Sequence, residues 1–378
     1  MNVIVIGGGA SGVMHALYLK HLNSDINVTI LEQNDRILKK LLKTGNGRCN
    51  ISNSLMEAKF YNNEKVISNL YNKVKPEVVI NFFKSLGLLL KNDNSTRLYP
   101  YSESANTVVD LLRNELAASM VDVRCSEEVI KIRKNKLFEV TTNRNKYIAD
   151  YVVVAAGSIA QEKTNIYEIL KELNHSITDI KPGLVALKVK QNLQSIRGIR
   201  VKCNAKVIND NKVIYEEVGE VLFKENGLSG VVILNLSRYV KPGYEISLDL
   251  FFDYPDINNY ISSFLYDKDI EDILRGLLPK MLANYIYTKA NGNLGKIFEL
   301  IHDLRFKVVS DYGFNQGQIV LGGVRVDEIN EDFSSKVIDG LYLVGEVLDI
   351  DGASGGYNLH FAWSSGIMSA ISIFEKSL

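Results

Sequence analysis

The chain has 378 residues, 46% hydrophobic and 23% charged, which is too long for one ordinary core and too apolar for a disordered chain. Its 44 Lys and Arg balance 44 Asp and Glu, so no overall charge draws it to nucleic acid or an anionic membrane, and only local patches need weighing. Cys49, Cys125 and Cys203 are odd in number and lack CxxC spacing, which points away from a disulfide framework or a zinc site; they suit a reducing, cytoplasmic interior, with no metal expected.

The apolar run at residues 3–6 is too short for the core of a signal peptide and lacks a basic flank. It is β-branched and closed by glycine, which predicts a buried strand. Val13, Met14, Leu17 and Leu22 then recur at helical spacing over 11–22, and 28–31 makes a second buried strand, completing a βαβ unit. Helices are predicted at 77–86 and 105–118, joined by a polar, tyrosine-containing connection over 87–101. Strands are predicted at 128–132, 137–142 and 151–155. From about residue 184 strands dominate, at 185–189, 200–207, 213–215 and 246–252, which suggests an inserted β domain. Residues 256–303 read as helical, with Ile270, Ile273, Leu274, Leu277 and Leu278 on one face and breaks at Pro279 and Asn291-Gly292-Asn293. A strand at 341–345, a glycine-rich turn and a helix over 358–373 close the sequence. No uncharged apolar run reaches the roughly 18 residues of a membrane-spanning helix.

Eight Lys or Arg residues lie between Lys181 and Lys212, opposed only by Asp210. Lys188 and Lys190 alternate with Val189, and Arg200 and Lys202 with Val201, so in strands the cations share one face. A solvated sheet face is the simpler reading, and a surface for phosphate-rich partners is the functional one.

The chemistry begins at the first turn. Gly7, Gly9 and Gly12 satisfy GxGxxG between a predicted strand and a predicted helix, where a pyrophosphate would meet free amides at the helix start. Glu32 ends the second strand, placed to accept both hydroxyls of a ribose. The small residues Ala156 and Gly157 end the 151–155 strand. The run from Asp349 through Gly352, Gly355 and Gly356 to Tyr357 and Asn358 leads into the closing helix. A second return of the chain to the nucleotide favours an enclosed FAD over a transient nicotinamide cofactor, since that helix can aim its amides at a reduced flavin. Arg48 reads as a cofactor contact or a loop buttress, and Cys49 as a redox thiol or a packed residue. Asp349 and Asp351 read as ribityl contacts or turn braces. Tyr357, Asn358 and His360 are candidates for substrate contact or proton delivery, although a packed histidine is the commoner case.

The run from Thr44 to Asn53 (TGNGRCNISN), with GEVLDIDGASGGYNLHFAWSSG near the other end, resembles two signatures of the BaiN/RdsA family of NAD(P)/FAD-dependent oxidoreductases, the HI0933-like flavoproteins. Gly219–Phe223, Gly227–Gly230 and Gly322-Gly323-Val324 resemble its intermediate motifs. Asn46 and His360 stand where that pattern has glycine and glutamine. The resemblance implies an α/β fold: a two-dinucleotide-binding Rossmann-type FAD domain interrupted by a β-barrel-like domain that carries a helical insert. The corresponding boundaries are 1–182 and 325–378 for the FAD domain, 183–254 with 304–324 for the β-rich domain, and 255–303 for the insert.

The cofactor set it implies is Gly7, Gly9, Ala10, Ser11, Gly12, Glu32, Gln33, Lys40, Gly45, Gly47, Arg48, Cys49, Asn50, Val129, Ala156, Gly157, Gly345, Glu346, Asp349, Gly355, Gly356, Tyr357 and Asn358. His360, Tyr357, Asn358 and Cys49 are the catalytic candidates. The expected activity is NAD(P)H-driven reduction of an activated C=C bond in a small molecule through FAD. Alternatives are uridine reduction in ribosomal RNA through the basic face, an amine oxidase using oxygen, and a flavin-binding protein without turnover. NADH and NADPH are not distinguished, and oligomeric state is left open.

Overall fold

A computed structural model describes residues 1–93, 95–161 and 163–378, which fall into two units, Met1–Lys181 with Ile319–Leu378, and Pro182–Gln318. Each has its own hydrophobic core.

In the first unit β1 (Asn2–Ile6), α1 (Ala10–Leu22) and β2 (Asn27–Glu32) follow the predicted order. The unit continues through β3 (Ser52–Asn53), α2 (Glu64–Lys73), α3 (Pro76–Ser85), β4 (Leu90–Asn92), β5 (Arg97–Pro100) and α4 (Ala105–Ala118). After β6 (Asp122–Cys125) come β7 (Val129–Lys134), β8 (Phe138–Thr142), β9 (Lys146–Ala149), β10 (Tyr151–Val154), α5 (Ile166–Glu172) and β11 (Lys181–Gly183). The second unit holds β12 (Leu187–Val189), β13 (Arg200–Asn209), β14 (Lys212–Lys224), β15 (Gly227–Ser229), α6 (Val231–Leu236) and β16 (Glu245–Asp249). Its helices are α7 (Ile257–Phe264), α8 (Ile270–Leu277), α9 (Lys280–Ala290) and α10 (Leu294–His302), and β17 (Leu304–Asp311) follows. The chain returns with β18 (Ile319–Leu321), β19 (Leu341–Leu343) and α11 (Tyr357–Glu375).

Five strands of the first unit make a parallel sheet in the order β19-β10-β1-β2-β6. Val3 to Ile6 and Val152 to Val154 are buried, as the inner strands of a sheet covered on both faces must be. Two small antiparallel sheets, β3-β5-β4 and β7-β8-β9, flank it in sequence. The 87–101 connection, read as a loop, thus contains β4 and β5, and α2, β6 and β9 are also absent from the sequence reading: the strands have only three or four residues each, too few to show a period, and six of the ten residues of α2 are polar.

The second unit is a closed barrel, β12-β15-β14-β13-β16-β17, with α7 to α10 packed into the same core. The helical stretch breaks at the expected places: Pro279 precedes α9, Asn291 ends it in a left-handed conformation, and Asn293 caps α10. The second unit closes at Gln318, where the sequence reading carried it to Val324. Val324 is tied to the first unit from both sides, its N–H donating to Val347 O (2.9 Å) and its carbonyl accepting from Asp349 N (2.9 Å).

The strand read at 213–215 is the start of the long β14. Glu216, Glu217 and Glu220 conceal it from an apolar-pattern reading, yet Glu216 and Glu220 define its outer face, while Glu217 turns the other way and accepts from Asn235 Nδ2 at 2.8 Å. Lys202 pairs with Glu220 and Lys206 with Glu216 in the β13–β14 register. Arg200 forms an ion pair with Glu220, Lys206 lies 3.9 Å from Glu216, and Arg197 lies 3.5 Å from Glu225. Lys188 and Lys224 lie over the Tyr312 ring, 5.1 and 4.0 Å from its centre. The cations of β13 therefore face carboxylates of the adjoining strand, and the simpler reading of a solvated, charge-matched sheet face holds there.

Among the described residues no helix is long and apolar enough to cross a membrane, and no His, Cys, Asp and Glu cluster could hold a metal ion.

Candidate cofactor site

The glycines of the first turn act through what a side chain would strike. A Cβ on Gly7 would lie 2.5 Å from Ala155 O, and one on Gly12 would run into Gly7 O. Both therefore permit strand, turn and helix to touch as backbone. Gly9 differs: a Cβ there would meet only Ala155 O, 4.0 Å away, so this backbone is open. Gly9 is also the N-cap of α1, with no side-chain cap and no acid in the first turn. An unneutralised helix start behind open glycine backbone is a site for an anionic group.

Glu32 is buried, and its carboxylate accepts from Gly8 N (2.8 Å), Asn34 N (2.8 Å) and Asn34 Nδ2 (2.7 Å). Three of its roughly four acceptor positions are thus taken within the protein, which leaves room for one ribose hydroxyl rather than two. Gln33 Nε2 donates to Lys163 O (2.8 Å), and Asn165 Nδ2 donates to Val129 O (3.1 Å). Lys40 Nζ donates to Ser158 O (3.0 Å) and lies 3.8 Å from Glu346, on either side of left-handed Gly157. Ala156 touches the turn, its Cα 2.7 Å from where a Gly7 Cβ would sit.

A second helix start lies beyond the first. Gly366 of α11 packs on α1 so closely that a Cβ would lie 2.5 Å from Ser11 O, and His15 Nδ1 bonds Ser369 Oγ at 2.7 Å. Ser11 faces Gly366 and His15 faces Ser369, so the two helices run in the same direction. The start of α11 then extends about 12 Å past that of α1, at 1.5 Å per residue. Gly345 belongs to the same contact: its N–H donates to Ser365 Oγ (3.1 Å), and a Cβ would lie 2.6 Å from Ser11 Oγ. Left-handed Gly356 caps α11, again with no side-chain cap and no acid in the first turn.

Side chains strap this start to residues 50–61. Asn53 Nδ2 donates to Gly355 O (2.9 Å), Tyr61 Oη to Tyr357 O (2.8 Å) and Trp363 Nε1 to Ile51 O (3.2 Å). Asn50 is 8% exposed, and its Oδ1 is buried with no hydrogen-bond partner among the described residues, 2.9 Å from where a Gly356 Cβ would sit. Gly45, Asn46, Gly47 and Cys49 are all left-handed, and a Cβ on Gly47 would meet nothing within 4 Å. Two uncapped helix starts staggered by about 12 Å along the helix direction, open glycine backbone at Gly9 and Gly47, and an unpaired amide oxygen at Asn50 fit a long anionic cofactor such as FAD.

The catalytic candidates fare differently. His360 is fully buried, bonded through Nδ1 to Ser52 Oγ (2.8 Å) and edge-on to the Tyr71 ring 5.6 Å away. Burial lowers its imidazole to about 3, so it is neutral near pH 7. Of the two readings of His360 the packed one fits these contacts rather than proton delivery, and positions 357, 360, 361 and 364 are all buried on α11. Tyr357 packs on Phe60, ring centres 4.6 Å apart, and is 5% exposed. Asn358 folds back on its own loop, accepting from Gly352 N and donating to Gly352 O, both at 2.8 Å. Cys49 is buried, and burial pushes its thiol up to about 12, so it stays a protonated packing group. Arg48 takes the buttress role, lying 4.5 Å over the Tyr99 ring with Nε 3.4 Å from Gly45 O. Asp349 accepts from Thr178 Oγ1 at 2.9 Å.

Gly366, Ser365, Tyr61 and Thr178 escaped the sequence reading. The run of small residues Ser364-Ser365-Gly366 inside an apolar helix was the one available sign of the first two.

The family model described as the HI0933-like protein Rossmann domain matches residues 1–372. The chain is 30% identical to the 3-dehydro-bile acid delta(4,6)-reductase of Clostridium scindens, over 100% of both chains. It is 24% identical to the ribosomal RNA dihydrouridine synthase of Escherichia coli, over 96% of each. Its fold is similar to that of the 3-ketosteroid-delta4-(5alpha)-dehydrogenase of Rhodococcus jostii RHA1, with a TM-score of 0.54 and 13% identity over 98% of this chain and 96% of that one.

Proposed function

The chain belongs to the HI0933-like family of oxidoreductases with the FAD-binding flavoprotein fold, and from that premise we propose that it reduces an activated C=C bond in a small molecule, using FAD and either NADH or NADPH. The observation that carries the cofactor assignment is the pair of parallel, glycine-led, uncapped helix starts at Gly9 and Gly356. The amides of α1 suit the pyrophosphate, and those of α11 suit the electron-rich edge of the flavin. Ser52, Asn53, Tyr61 and Trp363 hold α11 in place, so its field is preorganised. The bound flavin supplies the hydride chemistry, and the protein supplies position and electrostatics.

Two observations favour a small molecule over RNA as the substrate. The relative named for a bile acid is the more similar of the two, 30% identical over 100% of this chain against 24% over 96%. The cations of β13 are matched by Glu216 and Glu220, so that strand offers no run of unpaired positive charge for phosphates. None of the four catalytic candidates offers a proton near pH 7 from an accessible position, so the proton is assigned to solvent or to a group outside that set.

The visible spectrum of the purified protein, followed anaerobically with NADH or NADPH, tests this reading. Flavin bands that bleach with a nicotinamide and return with a conjugated enone support it. Return with ribosomal RNA instead moves the substrate to uridine, bleaching by an amine makes the protein an oxidase, and a protein that holds no flavin overturns the proposal.

A further inference from the structure

Asparagine followed by glycine carries a latent reaction. The glycine nitrogen can attack the asparagine Cγ, because no Cβ on the glycine obstructs the approach. A new C–N bond closes a five-membered imide and the side-chain amide nitrogen leaves as ammonia. One water then opens the ring to aspartate or isoaspartate. Atoms balance with water in and ammonia out, and no oxidant or reductant takes part. The rate depends on whether the glycine amide is free to turn toward the side chain.

The sequence has three such pairs, Asn46–Gly47, Asn226–Gly227 and Asn291–Gly292. Two are locked. Gly292 N donates to Tyr287 O (3.1 Å) in the turn that ends α9, and Asn291 N donates to Thr288 O (3.1 Å). Gly227 is buried inside β15, where it pairs with Lys188 on one side and Lys224 on the other. The remaining pair is unlike both. Asn46 and Gly47 are both exposed at the end of a 3-10 turn, and a Cβ at Gly47 would meet nothing within 4 Å, so only that turn's own backbone, and no packed neighbour, restrains the glycine amide. Asn46 also lies inside a left-handed run, with φ of 56° at Gly45, 57° at Asn46 and 83° at Gly47. Asn291 and Gly292 share that left-handed geometry, so exposure of both residues and the absence of packing are what set the Asn46–Gly47 pair apart.

We propose that Asn46 is a self-modification site, at which the chain deamidates to aspartate or isoaspartate ahead of its other Asn–Gly pairs. The product places a negative charge, and in the isoaspartate form an extra backbone carbon, in the segment that carries Gly45, Gly47 and Asn50. Its effect on the cofactor rests on the reading of that segment as part of the FAD site. A bound anionic cofactor would be repelled by the product and would in turn hold the loop against the reaction.

The test is peptide mapping by mass spectrometry of the full-length protein aged in mildly alkaline buffer, with FAD stripped or saturating. Conversion at Asn46 well ahead of Asn226 and Asn291 is the expected result. Conversion no faster than at those two overturns the proposal, as does persistence of the mass shift in this peptide of an Asn46→Gly variant. Slower conversion with saturating FAD supports both the site and the loop's place at the cofactor. Equal conversion in the two arms leaves the modification standing and removes the loop from the cofactor, so the two failures are distinguishable. Asn46→Asp should weaken FAD binding about two- to fivefold by fluorescence titration, the scale of one exposed charge interaction.

Discussion

Helices α2 and α10 begin differently from α1 and α11, and the contrast bears on where a cofactor would sit. Asn63 caps α2 by accepting from Val66 N, with Glu64 in its first turn, and Asn293 caps α10 by accepting from Lys296 N. These helices satisfy their own first amides. Helices α1 and α11 begin at glycine, have no acid in the first turn, and leave theirs to something else. Self-capping is worth about 1 kcal/mol per helix. Other helices also lack a side-chain cap, and α6 also begins at a glycine, Gly230; what sets α1 and α11 apart is that they pack in the same direction with staggered starts, where an anionic cofactor could meet both.

The strongest way to break the contrast is Gly12→Val, which drives a side chain into Gly7 O and Val5. Loss of about 3 kcal/mol or more, seen as a fall in melting temperature with no retained flavin, is expected from overpacking against backbone.

The first turn of α11 gives a second test, through pH. Burial lowers His360 and His15 to about 3 from an ordinary 6.5. Between those values the unfolded chain binds protons that the folded one refuses. Stability is therefore full above about pH 6.5 and falls toward acid by about 1.4 kcal/mol per pH unit for each histidine. Chemical denaturation at pH 7 and pH 5 should show this slope, and His360→Gln should remove one histidine's share of it. A slope unchanged in that variant would mean that His360 is solvated.

Gly9→Asp sharpens the comparison itself. Gly9 has φ −82° and an unobstructed Cβ direction, so aspartate fits and makes α1 resemble α2. The apo protein should gain a few tenths of a kcal/mol, while FAD affinity falls tenfold or more through charge repulsion at the vacated anion site. Equal affinity would remove α1 from the cofactor. The smallest effect belongs to Asn63→Ala, which should cost about 1 kcal/mol in melting experiments and leave FAD binding unchanged.

Backbone features of this protein are far more legible in its sequence than side-chain roles. GxGxxG, the β-branched runs at β1 and β2, Pro279 and Asn291-Gly292-Asn293 all act through local backbone geometry, which neighbouring residues dictate. The roles of His360, Asn358 and Arg48 stay open in the sequence because they depend on which face of a helix or loop turns inward, and on Ser52, Gly352 and Tyr99, which only the fold brings to them. The charge matching of the basic stretch is hidden for a related reason: half of that sheet face comes from β14, whose glutamates lie outside the window that holds the lysines. Elements such as α2, β4 and β9 are too polar or too short to show a period.

The contact between α1 and α11 also sets an order of assembly. His15 and Ser369 are 354 residues apart in sequence, and β19 lies beside β10, which itself pairs with β1. The barrel with its helices is formed from one continuous stretch of chain and can condense while synthesis is under way. The cofactor cradle cannot, because one of its two helix starts arrives only with the final strand and helix. Flavin loading is thereby deferred until nearly the whole chain exists, and a chain that stops short of α11 should remain colourless even if its barrel has folded.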